Sequence, residues 1–457
     1  MTEKSTIDYP QDNKKKAIQL SDSFGYSTLL RFTLPSVMMM IFTSIYGVVD
    51  GLFVSNFVGK TPFAAINLVM PLLIIMGAVG FMLGTGGTAI VAKTMGMGDK
   101  ILANKYFSFL VYTTIVSGVV LAALGIAFAR PVSELLGAEG EMLECCVIYA
   151  RINLLTLPFF MLQNVFQSFF ITAEKPKIGL YVIVAAGVTN MVLDALFVAA
   201  LGWGLEGAAA ATSLSQVVGG AVPLVYFARP NGGTLRLCKT GFYGRTLLAT
   251  CINGSSELMS NISMSVVTIL YNAQLMRIAG ENGIAAYGAI MYVGFIFVAI
   301  FIGFVMGASP VVSFHYGAGN KDELKSLFGK SIRIVGIAGA IMAIVAIVLS
   351  RPLSLLFVGY DAELCDMTTR GFVIFAFHFL ICGFNIFGSA FFTALNNGVI
   401  SAAISFLRTL VFQCLTVLIL PIFLELDGVW LSIVVAEVGA VIVTASLLAA
   451  KKKKYGY

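Results

Sequence analysis

Apolar runs of 20 or more residues follow one another along almost the whole chain, each ended by charge or by Gly and Pro. Wound as a helix, a run of that length matches the ~30 Å hydrocarbon layer of a bilayer. With 58% hydrophobic and only 11% charged residues, the 457-residue chain is excluded from the ordinary soluble classes. The runs divide into twelve predicted spans, at about 28–55, 62–92, 104–129, 147–172, 177–200, 204–228, 245–276, 284–314, 326–350, 366–394, 398–423 and 428–450. The expected fold is an all-α polytopic membrane protein.

Charge sets the orientation. Residues 1–26 are polar and lack the apolar core and cleavage site of a signal peptide, so they read as a cytoplasmic tail. Placing that tail inside also places the even-numbered connections and the basic 451–457 tail inside, and with them most of the Lys and Arg. The other side keeps little beyond Lys60, Arg130, Arg277 and Arg351. This bias predicts a multi-pass protein of the cell membrane with both termini cytoplasmic. The net charge of +6 is therefore topology, and no nucleic-acid partner is expected.

Catalytic signatures are missing. Seven scattered cysteines and the isolated His315 and His378 give no metal spacing or triad, and there is no Walker loop. No enzyme activity, resident cofactor or structural metal is expected.

The chain repeats itself. "ARPVSELLG" at 129–137 returns as "SRPLSLLFVG" at 350–359, and "MGMGDK" at 95–100 returns as "YGAGNK" at 316–321. The step from Arg130 to Arg351 is also the step from Gly96 to Gly317, Thr172 to Thr393, Asn164 to Asn385 and Gly207 to Gly428. A duplicated six-helix unit has even parity, so both copies share one orientation and are related by an axis along the membrane normal. The expected architecture is a V-shaped, pseudo-symmetric pair of six-helix bundles working by alternating access. The N-lobe is 27–229, a cytoplasmic linker covers 230–241, and the C-lobe is 242–450.

Buried charge marks the site. Asp50 lies roughly 8 Å below the outer end of span 1, and Asp194 about six residues below the outer end of span 5. Asn190 is one turn deeper than Asp194 on the same helix face, and Thr212 on span 6 falls at similar depth. The nearest base is Arg151, for which Glu206 competes. Two carboxylates without a firm counter-ion are costly in lipid unless they hold a proton or a cation. In the C-lobe the same offset pairs Asp50 with Tyr271 and Asp194 with Leu415, so the acidic site is not duplicated. Arg408 and Glu437 read as a structural ion pair. Glu257 in "NGSSELMSN" reads equally as a proton or cationic-substrate site and as a partner of its serine-rich neighbours. Met38–Met40 with Phe42 and Tyr46 form an apolar stripe, read first as packing.

"SIYGVVDGLFVSNFVG", "GTGGTAIVAKTMGMGDK", "NMVLD" and "GLEGAAAATSLSQ", in that order, resemble the multidrug and toxic compound extrusion (MATE) family, in its prokaryotic branch with acidic residues in the N-lobe. The resemblance implies secondary active efflux, with H⁺ or Na⁺ entering as cationic or amphipathic drug-like or toxic compounds leave. It implies coupling roles for Asp50, Asn190, Asp194 and Thr212, and for an amide at Asn164. Another branch carries a span 7 glutamate that Glu257 matches, but no convincing counterpart of its span 10 carboxylate accompanies it here. The competing reading is a flippase for a lipid-linked intermediate, which would favour a basic cleft over an acidic one. The expected partners are small organic substrates and membrane lipids, and the chain is expected to work as a monomer.

Overall fold

The structure, a computed structural model, describes residues 18–457 apart from Tyr360, and only the backbone at Leu52, Ser55, Asn56 and Lys60. Residues 1–17 of the expected N-terminal tail lie outside the described residues. Lipid offers the backbone no hydrogen bonds, so a chain this apolar must satisfy its amides within helices. Among the described residues there is no strand.

Span 1 is Tyr26–Phe57, span 2 Lys60–Gly96 and span 3 Lys100–Leu135. Span 4 is a bent pair, Gly140–Leu155 and Leu157–Thr172, and span 5 is Pro176–Asp194 extended by a π-helical segment, Ala195–Ala200. Span 6 is Gly204–Ala228. The helical stretch Gly244–Gly317 turns at Gly280 (φ 61°, ψ −149°) and so supplies spans 7 and 8. Span 9 is Lys321–Val358, and span 10 is the bent pair Ala362–Ala376 and Phe379–Ala394. Span 11 runs through Gly398–Phe406 and a second π segment, Leu407–Phe412. It continues into Gln413–Tyr455, where a turn at Glu425 (φ 47°, ψ −126°) begins span 12.

The duplication appears in the turn chemistry. Left-handed backbone at Gly59, Gly98 and Gly204 recurs, at the offset of the repeat, at Gly280, Gly319 and Glu425. The Asp99 side chain caps span 3 by accepting from Leu102 N, and Asn320 caps span 9 by accepting from Glu323 N. Arg130 pairs with Glu144 across spans 3 and 4, and Arg351 with Asp366 across spans 9 and 10. Span 4 bends by 53° at Thr156 and span 10 by 48° near Phe377. Pro158 explains the first bend, because its ring cannot donate to the preceding turn. The second keeps the shape without a proline.

Several boundaries differ from the hydropathy reading, span 3 running on to Leu135 rather than 129 and span 9 to Val358 rather than 350. Span 4 begins at Gly140 rather than 147, because Glu141 and Glu144 depress hydropathy without breaking the helix. The last helix continues through the lysines to Tyr455. Tyr457 is buried there against Phe328 and Phe391 and Tyr455 against Tyr316, and Asn397 Nδ2 donates to the Tyr455 hydroxyl at 2.8 Å.

The lobes meet near the helix ends that carry the termini. A Cβ on Gly317 of span 8 would lie 2.1 Å from Lys93 O of span 2, and one on Gly96 would lie 2.0 Å from Phe314 O. Gly254 and Gly86 make the same kind of approach between spans 7 and 2, at 1.9 Å from Met82 O and 2.1 Å from Thr250 O. Gly303 and Gly307 of span 8 pack on Val37 and Thr33 of span 1. All these contacts fall within about four turns of that end. Towards the far end, Gly47 and Gly51 of span 1 face open space. The protein is sealed on the terminus side.

Only glycine fits these backbone contacts. Gly254→Leu and Gly317→Val should therefore hold the seal open. Spin labels on Met97→Cys and Ala318→Cys would report it as a longer, broader distance distribution than in the glycine parent. An unchanged distribution would show that the seal does not depend on these contacts.

Candidate functional site

Spans 1, 5 and 6 of the N-lobe pack together, and glycine sets how closely. A Cβ on Gly187 of span 5 would stand 2.5 Å from the Phe42 ring and 3.0 Å from the Tyr46 ring of span 1. Within two turns along both helices the same interface brings Asp50 against Asp194, with Asn190 beside them. Asp194 and Asn190 are 0% and 2% exposed, and Asp50 is half-buried. Directly after Asp194 the helix changes to its π-helical segment, which alters the angular position of every residue beyond it. Such segments concentrate at functional positions.

The polar atoms here lack partners. Both oxygens of Asp194, Oδ1 of Asp50, Oδ1 of Asn190 and Nδ2 of Asn164 make no hydrogen bond among the described residues. Nor does any described Lys, Arg or His form an ion pair with either carboxylate. Arg151, the base nearest in sequence, is exposed. Facing acids in a buried apolar setting cannot both stay charged without help. Four orphaned oxygens on two helices are the hard donor set that suits a small hard cation, and the same pair can instead share a proton.

The remaining expected residues are placed less directly. Thr212 is half-buried on span 6, and its hydroxyl does not bond to Asp194, whose oxygens are unpartnered. Asn164 is buried on span 4, but the span 4 amide facing Tyr46 is its neighbour Gln163. Tyr46, Gln163, and Tyr149 with Asn153 stand around the two acids, and none was singled out for this role from sequence. The signal existed for Tyr46, which lies one turn before Asp50.

The C-lobe solves the burial problem in another way. Arg408 Nε donates to Glu437 Oε1 at 2.8 Å, and Asn385 Nδ2 donates to Glu437 Oε2 at 2.6 Å. His378 Nδ1 stands 3.8 Å from Glu437 Oε1. Glu437 is 0% exposed and Arg408 sits in the π segment of span 11. Tyr271 is buried and stacks on Tyr287, with ring centroids 5.1 Å apart. Glu257 is half-buried on span 7, one turn beyond the seal glycine Gly254, and has no ion-pair partner among the described residues. The structure therefore does not bring Glu257 together with Asp50 and Asp194, which stand in the other lobe.

Truncating one partner of a buried pair strands the other charge. Arg408→Ala should lower thermal stability in detergent by about 3 kcal/mol, and Arg408→Met with Glu437→Leu should recover most of it. Efflux lost at unchanged stability in Arg408→Ala would move the arginine from a structural role to a transport role.

Comparison with known proteins agrees with this construction. The MatE family model matches the chain twice, at residues 35–196 and 258–419, one match in each lobe. A multidrug export protein MepA of Staphylococcus haemolyticus is 24% identical over 337 residues, 74% of each chain. The MepA of Staphylococcus aureus is 23% identical over 345 residues, covering 75% of this chain and 76% of its own. Among solved structures, a MATE crystal structure in complex with MaL6 superposes with TM-score 0.90 at 23% identity, covering 96% of this chain and 99% of that one. An outward-facing multidrug resistance MATE family transporter superposes with TM-score 0.89 at 24% identity, with the same coverage. These likenesses carry the twelve-helix, pseudo-symmetric fold. The chain is a multi-pass membrane protein and belongs to the MatE family of multidrug efflux transporters.

Proposed function

We propose that this protein is an ion-driven antiporter that exports cationic or amphipathic drug-like compounds, with Asp50, Asn190 and Asp194 as its coupling site. The observation that carries this reading is the facing carboxylate pair, in which both oxygens of Asp194 and Oδ1 of Asp50 lack a hydrogen-bond partner and no described cationic side chain forms an ion pair with either acid. The coupling ion is H⁺ or Na⁺, since either neutralises the pair. Thr212 and the amides of span 4 complete the surroundings of the ion. The positive-inside bias puts both termini in the cytoplasm, so the seal closes the cytoplasmic side and the molecule faces outward.

The mechanism follows from differential occupancy. An ion arriving from outside removes the repulsion between Asp50 and Asp194 and allows spans 1 and 5 to tighten. A ligand shifts a two-state equilibrium only through its different affinity for the two states. The site lies within the N-lobe on span 1, the helix that nearer the termini packs on span 8 of the C-lobe, so ion binding there favours the state in which the outer cleft closes and substrate has left. Substrate arriving from the cytoplasm then favours the return. The protein acts as a monomer, and a basic cleft of the kind a pyrophosphate-bearing lipid would need finds no support in the acidic N-lobe.

Asp50→Asn and Asp194→Asn keep side-chain size and remove the charge. Each should reduce dye efflux from proteoliposomes to the background of protein-free vesicles, under pH and Na⁺ gradients imposed separately. Neither should lower thermal stability, because no basic partner is stranded. Asn190→Ala should weaken ion binding only by roughly five-fold, the scale of one hydrogen bond or ligand. Wild-type transport by both aspartate variants would exclude the N-lobe as coupling site and direct attention to Glu257.

A further inference from the structure

A second place in the molecule has the shape of a binding site, at the seam between the lobes and well away from the carboxylate pair. Span 1 of the N-lobe and spans 8 and 9 of the C-lobe enclose a groove of about 370 Å³. Its walls include Leu34 and Val37 on one side and Phe304, Ile334, Val335 and Ala338 on the other. Thr33 also lines it, but its hydroxyl is turned back to Leu29 O at 3.0 Å and offers the groove no polar atom. Leu30 and Leu34 are 47% and 56% exposed on a surface that faces the bilayer, so the groove opens sideways into lipid.

The end of the groove nearest the termini is basic. Arg31 lines it and is exposed. Arg333, next to the lining residue Ile334, donates one guanidinium nitrogen to the Tyr26 hydroxyl at 2.9 Å and is otherwise exposed. Lys330 donates to Phe24 O one turn away. Glu323, an acid near the start of span 9, is engaged by Phe24 N–H at 2.8 Å. Among the described residues neither arginine has an acidic partner. Cations set at the mouth of an apolar groove, on the side of the membrane that carries the basic loops, complement an anionic headgroup on an acyl chain.

We propose that this groove holds an acyl chain of an anionic phospholipid, with the phosphate between Arg31 and Arg333. The site exists only while the lobes are sealed. Gly303 and Gly307 press span 8 onto Val37 and Thr33, and these two residues line the groove. Separating the lobes pulls span 1 away from spans 8 and 9 and takes the groove apart. The lipid therefore binds one state better than the other and favours the sealed one.

The test uses the full-length transporter with Leu34→Trp as a reporter, reconstituted in vesicles whose acyl chains carry bromine, a contact quencher. Brominated phosphatidylglycerol is compared with brominated phosphatidylcholine, and the quenching of Trp203 and Trp430 in the Leu34 parent is subtracted. Phosphatidylglycerol should be preferred several-fold at the introduced tryptophan. Arg31→Gln and Arg333→Gln should each reduce the preference by roughly five-fold or to parity, whereas Arg31→Lys should retain it. The label distance between positions 97 and 318 should narrow with phosphatidylglycerol only in proteins that keep both arginines. Equal quenching by the two lipids, or a preference that survives loss of both arginines, would overturn the proposal. So would displacement of the quencher by a transported dye regardless of headgroup, which would make the groove a substrate portal.

Discussion

Two carboxylates that face each other inside a membrane have no comfortable charged state. Asp50 and Asp194 are held together by packing, since Gly187 lets the rings of Phe42 and Tyr46 lie against span 5 within two turns. Their position is therefore fixed by contacts that are indifferent to charge, while their energy depends strongly on what neutralises them. In the proposed coupling, this separation is what makes the site a sensor. The helices cannot relax the acids apart without losing the glycine contact, so the cost of an empty site is borne by the arrangement of the helices.

The duplication makes the contrast between the lobes informative. The same scaffold recurs in both, from the caps at Asp99 and Asn320 to the paired clamps of Arg130 and Arg351. On that shared scaffold the C-lobe surrounds its buried acid with compensation, as Arg408 and Asn385 both donate to Glu437. In the N-lobe Asn190 stands beside Asp50, but both oxygens of Asp194 lack a partner and no described cation pairs with either acid. Tyr271 stands where the repeat would place the counterpart of Asp50, and it stacks on Tyr287, a solution that needs no ion. One copy has become rigid support and the other has kept a variable charge.

Much of this was legible in the residues. Hydropathy located the twelve spans, a constant offset exposed the repeat, and i, i+4 spacing put Asn190 and Asp194 on one face. What a sequence gives for a buried charge is depth along its helix, which is why Asp50, Asp194 and Thr212 could be set at one level. It does not give azimuth, and so Gln163 rather than its neighbour Asn164 faces Tyr46. The π segments after Asp194 and around Arg408 carry no composition signal, because they arise from tertiary demands on the backbone. The helical course of Lys451–Lys454 was hidden by its charge. It is determined instead by Tyr455 and Tyr457, which find an aromatic pocket beside Phe328.

The nature of that seal sets the energy scale of the transport cycle. Across spans 2 and 8 the lobes touch chiefly through backbone at Gly96 and Gly317, with Lys93 over the Tyr316 ring at 5.2 Å as a charged contact. Contacts of this kind are individually weak and lose little when re-exposed to lipid or water. An interface held by buried ion pairs would require each charge to be resolvated or stranded at every turnover. Reversing a conformational preference from one in a hundred to ninety-nine in a hundred needs only about 5.5 kcal/mol of differential binding. Relieving one uncompensated buried carboxylate is worth several kcal/mol. Glycine at the seam and unpaired acids in the N-lobe are thus matched in scale, as the proposed ion coupling requires.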